Sequence, residues 1–233
     1  RKGDIMHFLE ELSHIFDIVA GEREIDFIVN LEDTEEEVWF SPSKLERILY
    51  NLLSNAFKYT QPGGYVKLSA KLIKEEKETF VQISVKDSGR GIPKEAQEQI
   101  FESYYQVEKR DHREGFGLGL SLTRSLIHMH KGEIRVESEV NKGSDFIVTL
   151  NVSEDAYAPD ERSSENITTE EIQKYNQRIK ETIELIPEKL TNKEKDSSRE
   201  SIMIVEDNKE MNDYLASIFG EKYDIIRAYN GAE

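Results

Sequence analysis

Between Ser43 and Tyr59 the chain sets two amides and an ammonium, Asn51, Asn55 and Lys58, at steps of four and three residues. On an α-helix such steps bring the three within about 60° of one another on one face. Leu45, Ile48, Leu49, Leu52, Leu53 and Ala56 form the apolar stripe on the opposite side. Read alone, a polar face opposite a core is a wetted surface, and Asn is a poor helix former that surfaces tolerate. The same row also suits a polyphosphate that carries a metal ion, because amide oxygens ligate hard cations and a lysine offsets phosphate charge.

A second group follows a strand. Val81, Ile83 and Val85 alternate from Thr79 to Lys86, and the segment runs straight into Asp87-Ser88-Gly89-Arg90-Gly91-Ile92-Pro93. Glycines at alternate positions let a backbone approach a ligand closely. A carboxylate at the strand end can only accept, so it would take a hydrogen bond from the exocyclic amino group of adenine and oppose the carbonyl that guanine carries there. An Asx-type turn is the structural alternative. A third group, Glu114-Gly115-Phe116-Gly117-Leu118-Gly119-Leu120-Ser121, opens a helix, and backbone N–H groups at a helix start attract phosphate. It is not a P-loop, since the Lys-Ser/Thr pair is missing, nor a dinucleotide fingerprint, since its spacing differs and no strand immediately precedes it.

The elements that must position these groups are legible around them. Ile5, Phe8, Leu9, Leu12, Ile15, Phe16 and Val19 step by three and four, which predicts one amphipathic helix ending at a Gly21 C-cap. Ile25, Phe27, Val29 and Leu31 alternate as a half-buried strand, and Val38-Trp39-Phe40 is a short apolar piece. Ser41-Pro42-Ser43 starts the helix that bears the amides, with Pro in its first turn, and Gln61-Pro62-Gly63-Gly64 ends it. Val66, Leu68, Ala70 and Leu72 alternate as another strand. After a helix over about 118–130, residues 133–139 and 144–152 form a hairpin over Asn141-Lys142-Gly143. Helices separate from a mixed, mostly antiparallel sheet, which is an α+β, two-layer sandwich.

The three groups occur in a fixed order with a fourth. Asn-x-x-x-Asn-Ala-x-Lys-Tyr-Thr (Asn51 to Thr60), Asp-x-Gly-x-Gly-Ile-Pro (Asp87 to Pro93), Ile-Phe-Glu-x-Tyr-Tyr (Ile100 to Tyr105) and Gly-x-Gly-Leu-Gly-Leu-Ser (Gly115 to Ser121) together resemble the ATP-binding catalytic domain of sensor histidine kinases, over residues 1–152. The resemblance implies a Bergerat-type ATP-binding fold with ATP and Mg²⁺ as cofactors. Asp87 would then read adenine, Tyr59 would pack on the base, and Gly89 and Gly91 would border it. Asn55, helped by Asn51, would hold Mg²⁺, and Lys58 would neutralise phosphate charge. Gly115, Gly117 and Gly119, with Leu118 and Leu120, would hinge a lid and meet the phosphates, and Phe101 would anchor its near side. Arg110 or Arg113 of the lid would sense the γ-phosphate, unless that basic loop is simply solvated. Ser144 sits where the wider superfamily supports the adenine carboxylate. The gyrase-like and chaperone ATPases of the superfamily carry a Glu general base where this chain has Asn51, and an amide has no useful basicity. The resemblance is therefore to a kinase; a regulatory nucleotide-binding module without turnover and a superfamily ATPase are the alternatives.

Kinases of this kind phosphorylate a histidine within a His-Glu-x-x-x-Pro-like segment of helical dimerisation modules. None of His7, His14, His112, His128 or His130 has that context. The acceptor is expected upstream of Arg1, in a longer homodimeric parent anchored to the membrane and acting on the cytoplasmic side. His128 and His130 read as packing and C-terminal dipole partners of the last helix.

Downstream, residues 153–200 read as an acidic connector with a helical stripe, Ile172, Tyr175, Ile179, Ile183, Ile186 and Leu190. Residues 201–233 read as strand, helix, strand, which resembles the start of a flavodoxin-like response-regulator receiver domain. Its acidic pair would be Glu206 and Asp207, and the chain ends before a phosphoaccepting Asp. There are 31 Lys plus Arg against 47 Asp plus Glu, a formal net charge of −16, which argues against nucleic-acid coating. Cysteine is absent, which excludes disulfides and thiolate chemistry, and no run is long and apolar enough to span a bilayer.

Overall fold

The computed structural model describes residues 1–34, 36–105, 119–163, 165, 167–184, 201–205, 219 and 224–228. The chain divides into two compact units, Arg1–Ile186 and Pro187–Glu233.

In the first unit the elements run β1 (Lys2–Asp4), α1 (Ile5–Ser13), α2 (Ile15–Arg23), β2 (Asp26–Leu31), β3 (Glu37–Trp39), α3 (Pro42–Tyr59), β4 (Tyr65–Glu75) and β5 (Glu78–Asp87). Two 3-10 turns follow, then α4 (Gly119–Met129), β6 (Glu133–Glu139), β7 (Gly143–Asn151) and α5 (Thr169–Glu184). Five strands pair in the order β2-β4-β5-β7-β6. β2 runs parallel to β4 and the other neighbours are antiparallel, so the sheet is mixed and mostly antiparallel, as the sequence predicts. Its inward side chains, among them Leu68, Ile83, Val85, Val148 and Leu150, are buried with Leu45, Leu49, Leu52 and Leu53 of α3. The period of two along β5 decides where the first functional group goes. Asp87 lies two residues beyond Val85 and therefore on the core face, at the end of the apolar run.

The N-terminal segment differs from expectation. The single helix is two, α1 and α2, meeting at His14. Ser13 Oγ donates to the Glu10 carbonyl at 2.7 Å, a local bond that competes with the helical ladder and bends it. Gly21 is not the cap. It lies inside α2, and Glu24 closes the helix at φ 54°, with its N–H directed to the Ala20 and Gly21 carbonyls. The short ladder between β1 and β3 has no counterpart in the sequence reading. α5 rests on α1: Ile172 and Ile179 are buried, the Tyr175 ring meets Phe8 edge-on at 5.8 Å, and Arg1 grips Glu171 through two 2.8 Å bonds. Of the remaining stripe residues, Ile186 and Leu190 lie outside the described residues.

His130 bears out the packing half of its sequence reading and corrects the dipole half. It is 1% exposed, and its Nε2 accepts from the Ser41 N–H at the start of α3, 2.9 Å away. The ring is therefore neutral with its proton on Nδ1, which lies near the Leu126 carbonyl without a well-formed hydrogen bond. Burial, with Lys44 nearby, lowers its pKa from 6.5 to about 4, so it is not a cation serving the α4 dipole. Because the folded value lies below the unfolded one, this contribution to stability is complete above pH 6.5 and is lost as pH falls toward 4. Urea unfolding followed at the single tryptophan, Trp39, should show the gap between the unaltered protein and His130→Gln narrowing by about 2 kcal/mol from pH 7 to pH 5. A gap independent of pH would contradict the buried neutral ring.

In the second unit β8 (Ser201–Val205) pairs with β9 (Asp224–Ala228) in parallel, Ser201 opposite Asp224 and Val205 opposite Ala228. A parallel pair needs a crossover connection rather than a tight turn. Between the two strands, where the sequence reads as a helix, Phe219 is described and is helical, and the other residues of 206–223, Met211, Leu215 and Ile218 among them, lie outside the described residues.

Candidate nucleotide site

Asp87 is 4% exposed. Its Oδ1 accepts from the Gly89 N–H at 2.8 Å. Burial pushes the carboxyl above its ordinary range, and the backbone N–H groups of Gly89 and Ser144 pull it back. Two main-chain donors thus hold a buried acceptor in place without a countercharge, an arrangement that leaves capacity for a donor from a ligand. Ser144 stands opposite Asp87 in the β5–β7 ladder. Its amide supports the carboxylate, while its hydroxyl lies 3.0 Å from that of Ser138.

The loop after Asp87 is fixed by close packing. Gly91 has φ +70°, and a Cβ there would collide with the Glu139 carbonyl. Gly143 has φ +102°, and a Cβ there would collide with the Asp87 carbonyl. Both conformations disfavour any L side chain, so hairpin and loop can meet only with glycine at both places. The Asn141 N–H donates to the Arg90 carbonyl at 2.7 Å, the Ile92 N–H to Ser138 Oγ at 2.7 Å, and Gln97 Nε2 to the Ile92 and Ser138 carbonyls. Sequence reasoning missed Ser138 and Gln97, which belong to no motif, and treated Gly143 only as a turn residue.

α3 supplies the other wall. A Cβ on Gly89 would collide with the Tyr59 carbonyl, and the half-buried Tyr59 ring lies under the Arg90 guanidinium at 4.4 Å, with Lys58 Nζ at 5.0 Å. The structure thus brings Tyr59 to Gly89 and Arg90, beside Asp87. Asn51 and Asn55 are half-buried one turn apart, and Lys58 is exposed. Asn51 joins the first turn of α4: its Nδ2 donates to Thr123 Oγ1 at 2.7 Å, and it borders Gly119. Asn51, Gly119 and Thr123 line a cavity of about 240 Å³ with Arg47, Tyr50, Leu122 and Leu126; Asn55, Lys58, Tyr59 and Asp87 lie outside its lining. Leu120 packs against the core. Phe101 meets Phe146 edge-on at 6.4 Å and lies 5.9 Å from the Arg124 guanidinium. Arg110, Arg113, Gly115, Gly117 and Leu118 of the expected lid lie outside the described residues, as do Glu206 and Asp207.

The donors fit Mg²⁺ of a particular kind. Among the described residues no group of three or more His, Cys, Asp or Glu could hold a metal. Asn51 and Asn55 offer neutral, hard amide oxygens, which suit a cation that arrives on phosphates and keeps several waters.

Residues 40–154 match the family described as histidine kinase-, DNA gyrase B-, and HSP90-like ATPase. They form a domain of that family. Curated relatives align beyond these residues. Histidine kinase P4 of Formosa agariphila is 31% identical over 240 residues, covering 99% of this chain and 17% of its own length. The adaptive-response sensory kinase SasA of a Synechococcus strain is 39% identical over 134 residues, 58% of this chain and 34% of its own. This chain thus spans about a sixth to a third of these curated relatives. Among solved structures, the catalytic domain of histidine kinase ThkA in a nucleotide-free form superposes with TM-score 0.57 at 27% identity, covering 66% of this chain and 97% of that one.

Proposed function

We propose that the ATPase-family domain binds ATP with Mg²⁺ and donates the γ-phosphoryl group to a histidine on helical dimerisation modules of a longer, homodimeric protein, as a histidine kinase of two-component signalling. The observation that carries this reading is a buried carboxylate, Asp87, at the end of β5, in a domain whose helix α3 bears a polar row of amide, amide and ammonium. Phosphoryl transfer needs positioning and charge neutralisation more than a protein base, and α3 carries an amide at Asn51 where hydrolysis would need a carboxylate. Asp87 would hold the adenine amino group, Tyr59 and the Gly89 to Gly91 loop would flank the base, and Asn55 with Asn51 would hold Mg²⁺. When bound, Mg²⁺ would draw charge from the transferring phosphoryl group. Lys58 would offset the remaining phosphate charge, and Arg110, Arg113, Gly115, Gly117, Leu118, Gly119 and Leu120 would close over it from Phe101. Among the described histidines, His130 is buried, and His7, His14 and His128 stand outside a His-Glu-x-x-x-Pro-like segment.

The domain organisation is proposed as catalytic domain 1–152, connector 153–200 and receiver 201–233, with Glu206 and Asp207 as the receiver's cation-binding pair. The parallel pairing of β8 and β9 and the alignment of the Formosa kinase along 99% of the chain support it. No described helix is long and apolar enough to cross a membrane; the parent is proposed to be anchored elsewhere, with this part on the cytoplasmic side.

Phosphate release under steady-state conditions tests the assignment. The unaltered protein should hydrolyse ATP close to background, and Asn51→Glu, which places a general base on the phosphate-facing row, should raise the rate at least about tenfold. Rapid hydrolysis by the unaltered protein would contradict the kinase reading and favour a superfamily ATPase.

A further inference from the structure

The seam between α3 and α4 contains a hydroxyl whose hydrogen bonds leave no freedom. Thr123, 1% exposed, has Oγ1 at 3.0 Å from the Gly119 carbonyl and 2.7 Å from Asn51 Nδ2. A threonine hydroxyl has one proton. The Gly119 carbonyl can only accept, so that proton is spent there, and toward Asn51 the oxygen can only accept. Asn51 must therefore present its NH₂ group to Thr123, and a flipped amide would set two acceptors against each other in a buried place, which costs a hydrogen bond and strands a polar atom.

The other end of the amide is fixed by the same geometry. Asn51 Oδ1 lies 2.5 Å from where a Cβ on residue 119 would stand, so the oxygen occupies space that only glycine leaves open. Asn51, Thr123 and Gly119 also line one cavity with Arg47 and Leu122.

We infer that Thr123 is a positioning residue of the nucleotide–metal site, holding the Asn51 amide so that its carbonyl oxygen, and not its NH₂ group, is turned toward Mg²⁺ or one of its waters. The inference rests on the proposed nucleotide site and extends it to a residue outside every motif. An amide presented the other way round would offer N–H groups to a cation and repel it. Thr123 does not touch the nucleotide. Its effect passes entirely through the orientation of Asn51, and Gly119 couples that orientation to the first turn of α4.

The test compares Thr123→Val, Thr123→Ser and Asn51→Ala by calorimetry with ATP, once with Mg²⁺ and once with excess chelator, alongside side-chain amide NMR of the ligand-free protein. Thr123→Val keeps shape and removes both hydrogen bonds. It should weaken Mg·ATP binding about fivefold to tenfold and leave metal-free ATP binding within about twofold. Thr123→Ser should restore the affinity, and Thr123→Val should add nothing further in the Asn51→Ala background. The Asn51 side-chain NH₂ resonances should move in Thr123→Val and stay in Thr123→Ser. Equal losses with and without Mg²⁺, full additivity with Asn51→Ala, or unchanged Mg·ATP affinity would each overturn the inference while leaving the nucleotide site intact. An unaltered protein that binds no nucleotide would overturn the proposed function and this inference together.

Discussion

Asp87→Asn is expected to lower ATP affinity between about tenfold and a hundredfold, because a hydrogen bond to a charged acceptor is worth about 1.5 to 3 kcal/mol. The amide can also turn its NH₂ group toward the adenine amino group and set donor against donor. The fold should survive. Burial already disfavours the Asp87 carboxylate, and Asn is its neutral isostere with one oxygen still able to accept from the Gly89 N–H, so thermal stability should hold or rise. Loss of binding without loss of stability therefore isolates recognition from structure. The same calorimetry with GTP should show weak binding by the unaltered protein, since the guanine carbonyl would face an acceptor. Equal ATP and GTP affinities, or an Asn variant that binds ATP normally, would contradict the role assigned to Asp87.

Periodicity made much of this domain legible. The eleven-residue strand β4, the helix α3 and the β6–β7 hairpin are long enough, or carry enough turn chemistry, for their patterns to be read. β1 has three residues, too few to show a period. The break between α1 and α2 leaves the apolar stripe uninterrupted and has no Gly or Pro to mark it. Helix-end chemistry misled as well, since Glu24 takes the left-handed cap position more often given to glycine.

The site divides along the same line. Asp87, Tyr59 and the Gly89 to Gly91 loop are neighbours through a motif and the alternation of β5. Contacts between distant segments were not legible. Asn51 and Thr123 are 72 residues apart, and nothing in either local sequence announces the other. Ser138 and Gln97 brace the loop from β6 and a 3-10 turn. His130 shows how burial overrides residue type: at the end of α4 it reads as a helpful cation, yet the core makes it a neutral acceptor for the N–H that opens α3.

The proposed reaction is transfer of a phosphoryl group to histidine. The row proposed to face the phosphates, Asn51, Asn55 and Lys58, carries no carboxylate to activate water, whereas an imidazole brings its own lone pair and needs only a positioned, charge-neutralised γ-phosphoryl group. Incubating the protein with γ-labelled ATP, Mg²⁺ and a separately supplied His-bearing helical module should put acid-labile, base-stable label on the module. None should appear when the module's histidine is replaced by Gln, and Asp87→Asn should need a correspondingly higher ATP concentration for the same labelling. Label that stays off the module while inorganic phosphate is released would contradict the account.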